Sequence, residues 1–574
     1  MKQSVFNLNT LKAHPERNAF DLSHNDVFSC APGMLLPISC TEVLPNEHYE
    51  INPQIFLRTM PLNSAAFVRM RQHVEFFFVP MRVLCRQFNQ MVVGTRYPMS
   101  GISGLNSFDG DVPSMTLQTI MDAAKGATGN DGLGISVKDG ALRLLDMLGY
   151  GFSSVRDLSA QNYPAKYTSG GVEQQSPSLS VMRLACYQKI YQDYYRNPYW
   201  ESADASIFNF DDKFGSKLYN STDGNRIRSL LTIRYRNWTK DFFTSVQPTF
   251  QGAPFVTRSV DMSKFVVESS ASVPTFVPST YSMRVDSGLP DNSVSKTSVI
   301  KVSGISANGS LNIPIHNIRA AFALDKLYRL QQQSGNGSYG EQIKNRFGFG
   351  GVHDDWKATY IGGSSSPVSI GEVITTANTQ SGETPLGQTG DIYGKASSVN
   401  DAKIVYDTKE HGIIMGIFSL IPDADYNSFG IDSHNFKLKF EQFYQPEFDR
   451  LGHQPLNTYF LTCLSPSSTT DSSSWLQRVI GFQNRYLEYK TGIDKVHGQF
   501  CTGGTLSAWT APRNTGLLLD AAFNTYSLKV SPKILNSICS VTFDGTDKTD
   551  PIMVDSHISI KAIRPMSVSD EPLL

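Results

Sequence analysis

The sequence predicts a mainly β protein, a β-sandwich whose strands are separated by long insertions. Three observations carry this. Strand-type segments are scattered from the first hundred residues to the last twenty. Few of them are joined by tight hairpins, so the sheet is assembled from distant parts of the chain. Helical periodicity is sparse and does not alternate regularly with the strands, which argues against a doubly wound parallel sheet.

The strands come first. Val74–Val79 (VEFFFV) is a short apolar run closed by Pro80, the pattern of a buried strand, and Gly412–Ile421 (GIIMGIFSLI), closed by Pro422, is a second. Phe436, Leu438 and Phe440 alternate with Asn435, Lys437 and Lys439, which reads as a strand with one wet face. Tyr526, Leu528 and Val530 alternate with Ser527 and Lys529, and Ile558, Ile560 and Ala562 with His557, Ser559 and Lys561. Helices are expected over Leu117–Lys125, Ala141–Leu148, Ser180–Arg196 and Asn317–Gln333. The last carries Ile318, Phe322, Leu324, Leu327 and Leu330 on one face and stops at Ser334-Gly335-Asn336-Gly337. Residues 100–178, rich in Gly, Ser and Asp outside their short helices, read as a surface insertion. Residues 256–310, rich in Ser, Thr and Val, read as a second one: either a long decorated loop or an outward projection that meets other molecules.

Composition narrows the function. With 40% hydrophobic and 11% aromatic residues, the 574-residue chain can bury a sizeable core, which excludes general disorder. Only 18% of residues are charged, below the usual quarter, as in chains that bury surface against other chains. The net charge is -1, so any nucleic acid must be held by local basic patches. The seven Cys are an odd, widely spaced set without a CxxC pair, which suits free buried thiols rather than zinc or disulfide chemistry. Met1–Thr10 holds no apolar signal core, and no stretch is long and apolar enough to span a membrane; the expectation is a soluble cytoplasmic product.

No constellation for catalysis emerges. The GxxxxGK[ST], GxSxG and HExxH patterns are absent. Phe347–Gly351 (FGFGG) lacks the spacing of a dinucleotide fingerprint. Glu410 and His411 are neighbours at a strand start and would point to opposite faces, which suits structural hydrogen bonding better than acid–base work. Asp354-Asp355 and the Asp423/Asp425 pair read as acidic turns rather than cation sites. No catalytic, metal-binding or cofactor-binding residue is expected. One segment has a binding logic: Arg226–Lys240 (RIRSLLTIRYRNWTK) holds five cations, two large aromatics and no acid. Arg226, Arg228, Arg234, Arg236 and Lys240 could grip phosphates while Tyr235 and Trp238 offer faces for unpaired bases. The competing reading is an ordinary basic segment whose Arg stems pack on neighbours. The N-terminal arm, with Lys2, Lys12, His14 and Arg17, is a weaker candidate of the same kind.

Several blocks resemble, in order along the chain, the major capsid protein of microviruses of the gokushovirus-like and Bacteroidetes-type lineages. Phe20-Asp21-Leu22-Ser23-His24 is similar to an FDLSH block, and Glu42-Val43-Leu44-Pro45 and Arg58 follow. Phe76-Phe77-Phe78-Val79-Pro80 with Arg82 resembles an FFFVP-x-R strand end, and Ala185–Arg196 an aromatic helix. Asp241-Phe242-Phe243-Thr244-Ser245 is similar to a DYFTS block, with Phe242 in place of Tyr. Tyr360-Ile361-Gly362-Gly363, Glu410-His411-Gly412, Gly481–Lys490 and Arg564-Pro565-Met566 continue the series. Residues 100–178 and 256–310 match least, and the family's glycine-proline ending is not evident in Ser567–Leu574.

The resemblance implies an eight-stranded antiparallel jelly roll with long interstrand insertions, forming one capsid domain over residues 1–574. It implies sixty copies, built through pentamers into a T=1 icosahedral shell around circular single-stranded DNA. It also implies a small basic DNA-binding protein, scaffolding proteins and a host receptor as partners, and assembly in the bacterial cytoplasm into a virion. Two other readings of the residues stand beside it. A carbohydrate-binding β-protein would show paired carboxylates beside exposed Trp, but Trp200, Trp238, Trp356, Trp475 and Trp509 are scattered. A receptor-binding tail protein would show fibrous repeats, and the sequence has none.

Overall fold

A computed structural model describes chiefly residues 17–85, 112–151, 166–203, 224–249, 356–374, 379–463, 478–513 and 525–568, with short gaps inside these spans. The region 256–310 lies outside the described residues, as does the helix expected over Asn317–Gln333 apart from Lys326.

Eight principal strands build the molecule: β1 (His24–Cys30), β2 (Leu36–Val43), β3 (His48–Thr59), β4 (Met70–Pro80), β5 (Thr359–Ile374), β6 (Ile392–Asp401), β7 (Gly412–Pro422) and β8 (Ile552–Arg564). All their pairings are antiparallel. The neighbours run β1-β8-β3-β6, then β5-β4-β7-β2. That order is a jelly roll, with chain neighbours β1/β2, β3/β4 and β7/β8 falling in opposite sheets. Strand β5 joins the halves: Thr359–Val368 pairs with β4 in the second sheet and Ser369–Ile374 with β6 in the first. Two short strands, Asn18–Asp21 on β8 and Ile404–Asp407 on β3, widen the first sheet.

Between the sheets, Ile51, Ile55 and Leu57 of β3 and Val554, Ile558 and Ile560 of β8 meet Val74, Phe76 and Phe78 of β4 and Phe418 of β7. The second sheet has another apolar layer on its outer face. There Phe77, Val79, Ile413, Met415 and Ile417 pack against helices inserted between β4 and β5. This explains why Gly412–Pro422 is apolar at every position but Ser419: alternate side chains enter different cores, and every residue of β7 is buried. Gly416 is a steric necessity in that strand, because a Cβ there would lie 2.7 Å from the Phe76 ring.

The covering helices are α1 (Leu117–Lys125), α2 (Val137–Met147), α3 (Met182–Ile190, running on as a wider π turn Tyr191–Tyr195) and α4 (Gly224–Leu231). Thr116 and Ser136 cap α1 and α2 by accepting from the backbone N–H of Thr119 and Asp139. The described part of 100–178 is therefore more than a surface excursion: Ile120, Met121, Leu144 and Leu145 are fully buried beneath the sheet. Arg143 of α2 clamps this layer to the sandwich end through a two-pronged ion pair with the buried Asp550 (2.8 and 2.9 Å).

Two expected strands do not form. Residues 433–442 fold as successive 3-10 turns, Ser433–Phe436 and Phe440–Gln442, because the Gln442 side chain accepts from the backbone N–H of Leu438 and Lys439 and, among the described residues, no strand pairs with them. Thr525–Leu528 is likewise a 3-10 turn; its neighbour Lys529 makes only a single bridge, to Asn237.

Candidate functional site

The basic segment singled out in the sequence runs from α4 across the edge of the helical layer. The Arg226 side chain lies outside the described residues, while Arg228 is exposed. Arg234 is tied down: its Nε donates to Gln188 Oε1 (2.8 Å) and its guanidinium lies over the Tyr191 ring at 4.8 Å. Arg236 forms a two-pronged pair with Glu75 (2.8 and 3.2 Å) and donates to Ser419 Oγ at 3.0 Å. Tyr235 and Trp238 are buried in the sandwich core, and the Arg513 guanidinium covers the Trp238 ring at 5.4 Å. Burial pushes the Tyr235 hydroxyl far above its usual range. The two aromatics are thus almost wholly buried in the folded subunit, although Trp238 also borders the cleft formed beside this segment. A backbone bridge to Met34 holds Tyr235 at the sandwich, and its ring is buried among the core residues. Among the six candidates whose side chains are described, Arg228 and Lys240 are the cations exposed to solvent.

The same segment forms one wall of a cleft of about 420 Å³, opposite the π turn and the start of β5. Tyr194, Tyr199 and Tyr360 line it, with Arg196 and Lys240. These residues come from three distant parts of the chain. The only hint in the sequence is the aromatic density of Tyr191–Trp200, where YQDYYRNPYW follows a helical pattern too crowded to bury every ring. The widened π turn, a geometry common at functional positions, sends Tyr195 inward while Tyr194 stays half-buried.

A second surface lies in the insertion between β7 and β8. Leu438 is 85% and Phe440 76% exposed, with Phe443, Tyr444 and Tyr489 exposed nearby. The loop beneath them is built. Lys437 turns inward to Glu488 (3.3 Å) and sits 3.6 Å over the Tyr489 ring, and Gln454 donates to the same Glu488 at 2.8 Å. Large apolar side chains presented on a fixed frame mark a contact surface.

The blocks noted in the sequence meet in space. Arg82 grips Glu410 through Nε (2.7 Å) and Nη2 (3.1 Å), so the end of β4 is locked to the start of β7. Arg564 donates to the carbonyl of Glu42 (3.0 Å) and the hydroxyl of Tyr49 (2.7 Å). Asp241 accepts from the backbone N–H of Phe243 and Thr244 and from the Tyr426 hydroxyl at 2.6 Å. Asp423 and Asp425 face Arg69, which also pairs with Asp494 at 2.6 Å. Among the described residues no cluster of His, Cys, Asp or Glu could hold a metal ion, and no helix is long and apolar enough to cross a membrane.

A sequence profile of the phage capsid protein (F protein) family matches residues 9–120 and 168–574. The chain belongs to this capsid protein family. It is also similar to capsid protein VP1 of Chlamydia phage 1, with 23% identity over 628 aligned positions that span 97% of this chain and 95% of that one. The protein is thus a major capsid subunit of a microvirus-type phage and a structural component of the virion. The profile leaves out 121–167, the stretch that carries α2. All eight strands of the jelly-roll frame fall within the matched residues. In the isolated subunit Leu438 and Phe440 are large apolar side chains left open to solvent.

Proposed function

We propose that the chain assembles through pentamers into a sixty-copy T=1 icosahedral shell enclosing circular single-stranded DNA. The observation that carries the reading is the exposed Leu438–Tyr444 surface on a hydrogen-bonded frame, in a family of capsid proteins. An apolar surface of this kind is stable in water only when covered, and a second subunit is the covering a shell provides. The net charge of -1 leaves packaged phosphates for other cations, so a small basic DNA-binding protein shares the interior. Within this subunit Arg228 and Lys240 supply the phosphate contacts of the basic segment. Assembly takes place in the host bacterial cytoplasm with scaffolding proteins, and a host surface receptor meets the finished virion.

Negative-stain microscopy with light scattering of the expressed protein tests this. Closed round particles, or pentamers that close when partner proteins are added, are expected. A subunit that stays monomeric with every phage partner present would sink the shell reading.

A further inference from the structure

We propose that the cleft between Lys240 and Tyr360 takes one unstacked nucleotide of the enclosed strand, with its base on the Tyr360 ring and its phosphate near Lys240. This rests on the reading that the shell encloses single-stranded DNA, and it identifies where that strand is held.

The size is right. About 420 Å³ falls within the range of small-ligand pockets, of roughly 300–1,000 Å³. The walls are right as well. Tyr360 is 48% exposed, yet its ring is backed by Phe77 at 5.5 Å and its backbone N–H donates to the Tyr194 hydroxyl at 3.0 Å. That holds a flat face at fixed tilt, as a stacking platform requires. Lys240 is exposed at the rim.

The charges separate an anionic ligand from a neutral sugar. Among the described residues, Glu75 is the only acid lining the cleft, against Arg196, Arg236 and Lys240. Both of its oxygens are already occupied, by the two prongs of Arg236 and by the Tyr195 hydroxyl. Glu75 is thus engaged within the protein, and among the described lining residues no acid is left to pair with Arg196 and Lys240.

The experiment uses assembled, DNA-filled particles of the full-length protein. Ultraviolet crosslinking followed by mass spectrometry locates bound nucleotides, and nuclease-protected DNA per particle is measured on the same samples. Crosslinks are expected on peptides containing Tyr194–Tyr199 and Tyr360. Tyr360→Ala should lower the yield about tenfold, the scale of one lost stacking contact, while Tyr360→Phe keeps it. Lys240→Ala, at an exposed position, should lower it without affecting subunit folding, and it decides the matter if Tyr360→Ala does not assemble. Full particles crosslinked only elsewhere, or an unchanged yield in the Tyr360→Ala or Lys240→Ala particles, would overturn the cleft assignment and leave the enclosure of DNA standing. Particles with no protected DNA would overturn both. Binding of a neutral oligosaccharide that Tyr360→Ala abolishes, with no nucleotide in the cleft, would overturn it in favour of a sugar.

Discussion

The two sheets of this jelly roll share one interior but live in different surroundings. The sheet β5-β4-β7-β2 is covered on its outer face by the inserted helices, so β7 is buried along its whole length. Among the described residues nothing covers the outer face of the sheet β1-β8-β3-β6, and β8 alternates between buried residues and exposed ones such as Met553, Asp555, His557 and Lys561. The difference shows in the sequence as a solid apolar run against a period-two pattern. It also divides the subunit's energetics: what lies under the helices holds the fold, and what lies on the bare sheet is free to serve contacts.

The largest expected effect is at the clamp between helical cover and sandwich. Arg143→Ala leaves Asp550 buried without its cation, which should cost about 3–5 kcal/mol in chemical denaturation of the purified subunit. A loss below about 1 kcal/mol would mean that the helices are not integral to the second sheet. Next comes a direct comparison of the two outer faces. Ile413→Ala, beneath the helices, should cost about 2–5 kcal/mol, whereas Val399→Ala, 67% exposed on the bare sheet, should stay within about 0.5 kcal/mol. Equal costs would break the comparison.

These surroundings also decide what could be read in the sequence. The runs at Val74–Val79 and Gly412–Ile421 were legible because burial on two faces keeps nearly every position apolar, with Glu75 and Ser419, both engaged by Arg236, as the exceptions. Ile558, Ile560 and Ala562 were legible through strict alternation. The same alternation misled at Phe436–Phe440, where no neighbouring strand supplies a ladder and the local Gln442 hydrogen bonds win. The basic segment was legible as charge but not as placement. Arg236 meets Glu75 across 161 positions of chain, and nothing local says that Tyr235 will turn into the core. The cleft was illegible for the same reason: Tyr199, Lys240 and Tyr360 become neighbours only when β5 returns to β4.

A smaller effect on the subunit, though a large one on the particle, is expected at the insertion between β7 and β8. Leu438→Asp or Phe440→Ser changes an exposed side chain whose frame is held by other residues, so subunit stability should move by less than about 0.5 kcal/mol. Closed particles should nevertheless fail to form, as followed by light scattering. Normal shells from both variants would shift the contact role from this insertion to the bare sheet.

The smallest effect is a pH dependence confined to the covered sheet. His73, on the helical side of β4, is held down to about 4 from its ordinary 6.5, first by burial and then by the nearby Arg236, with Arg71 adding to it and Glu75 opposing. The folded subunit keeps this ring neutral, whereas the unfolded chain protonates it below about 6.5. The unfolded state therefore binds the extra proton as pH falls from 6.5 towards 4, and stability declines across that window and levels off below it. His73→Gln, neutral at every pH, should flatten the decline between pH 6.5 and 5, above the range where carboxylates begin to protonate. Thermal melting of both proteins along a pH series measures this. An identical slope in the variant would mean that water reaches this face of β4 and that the helical cover is looser than its packing indicates.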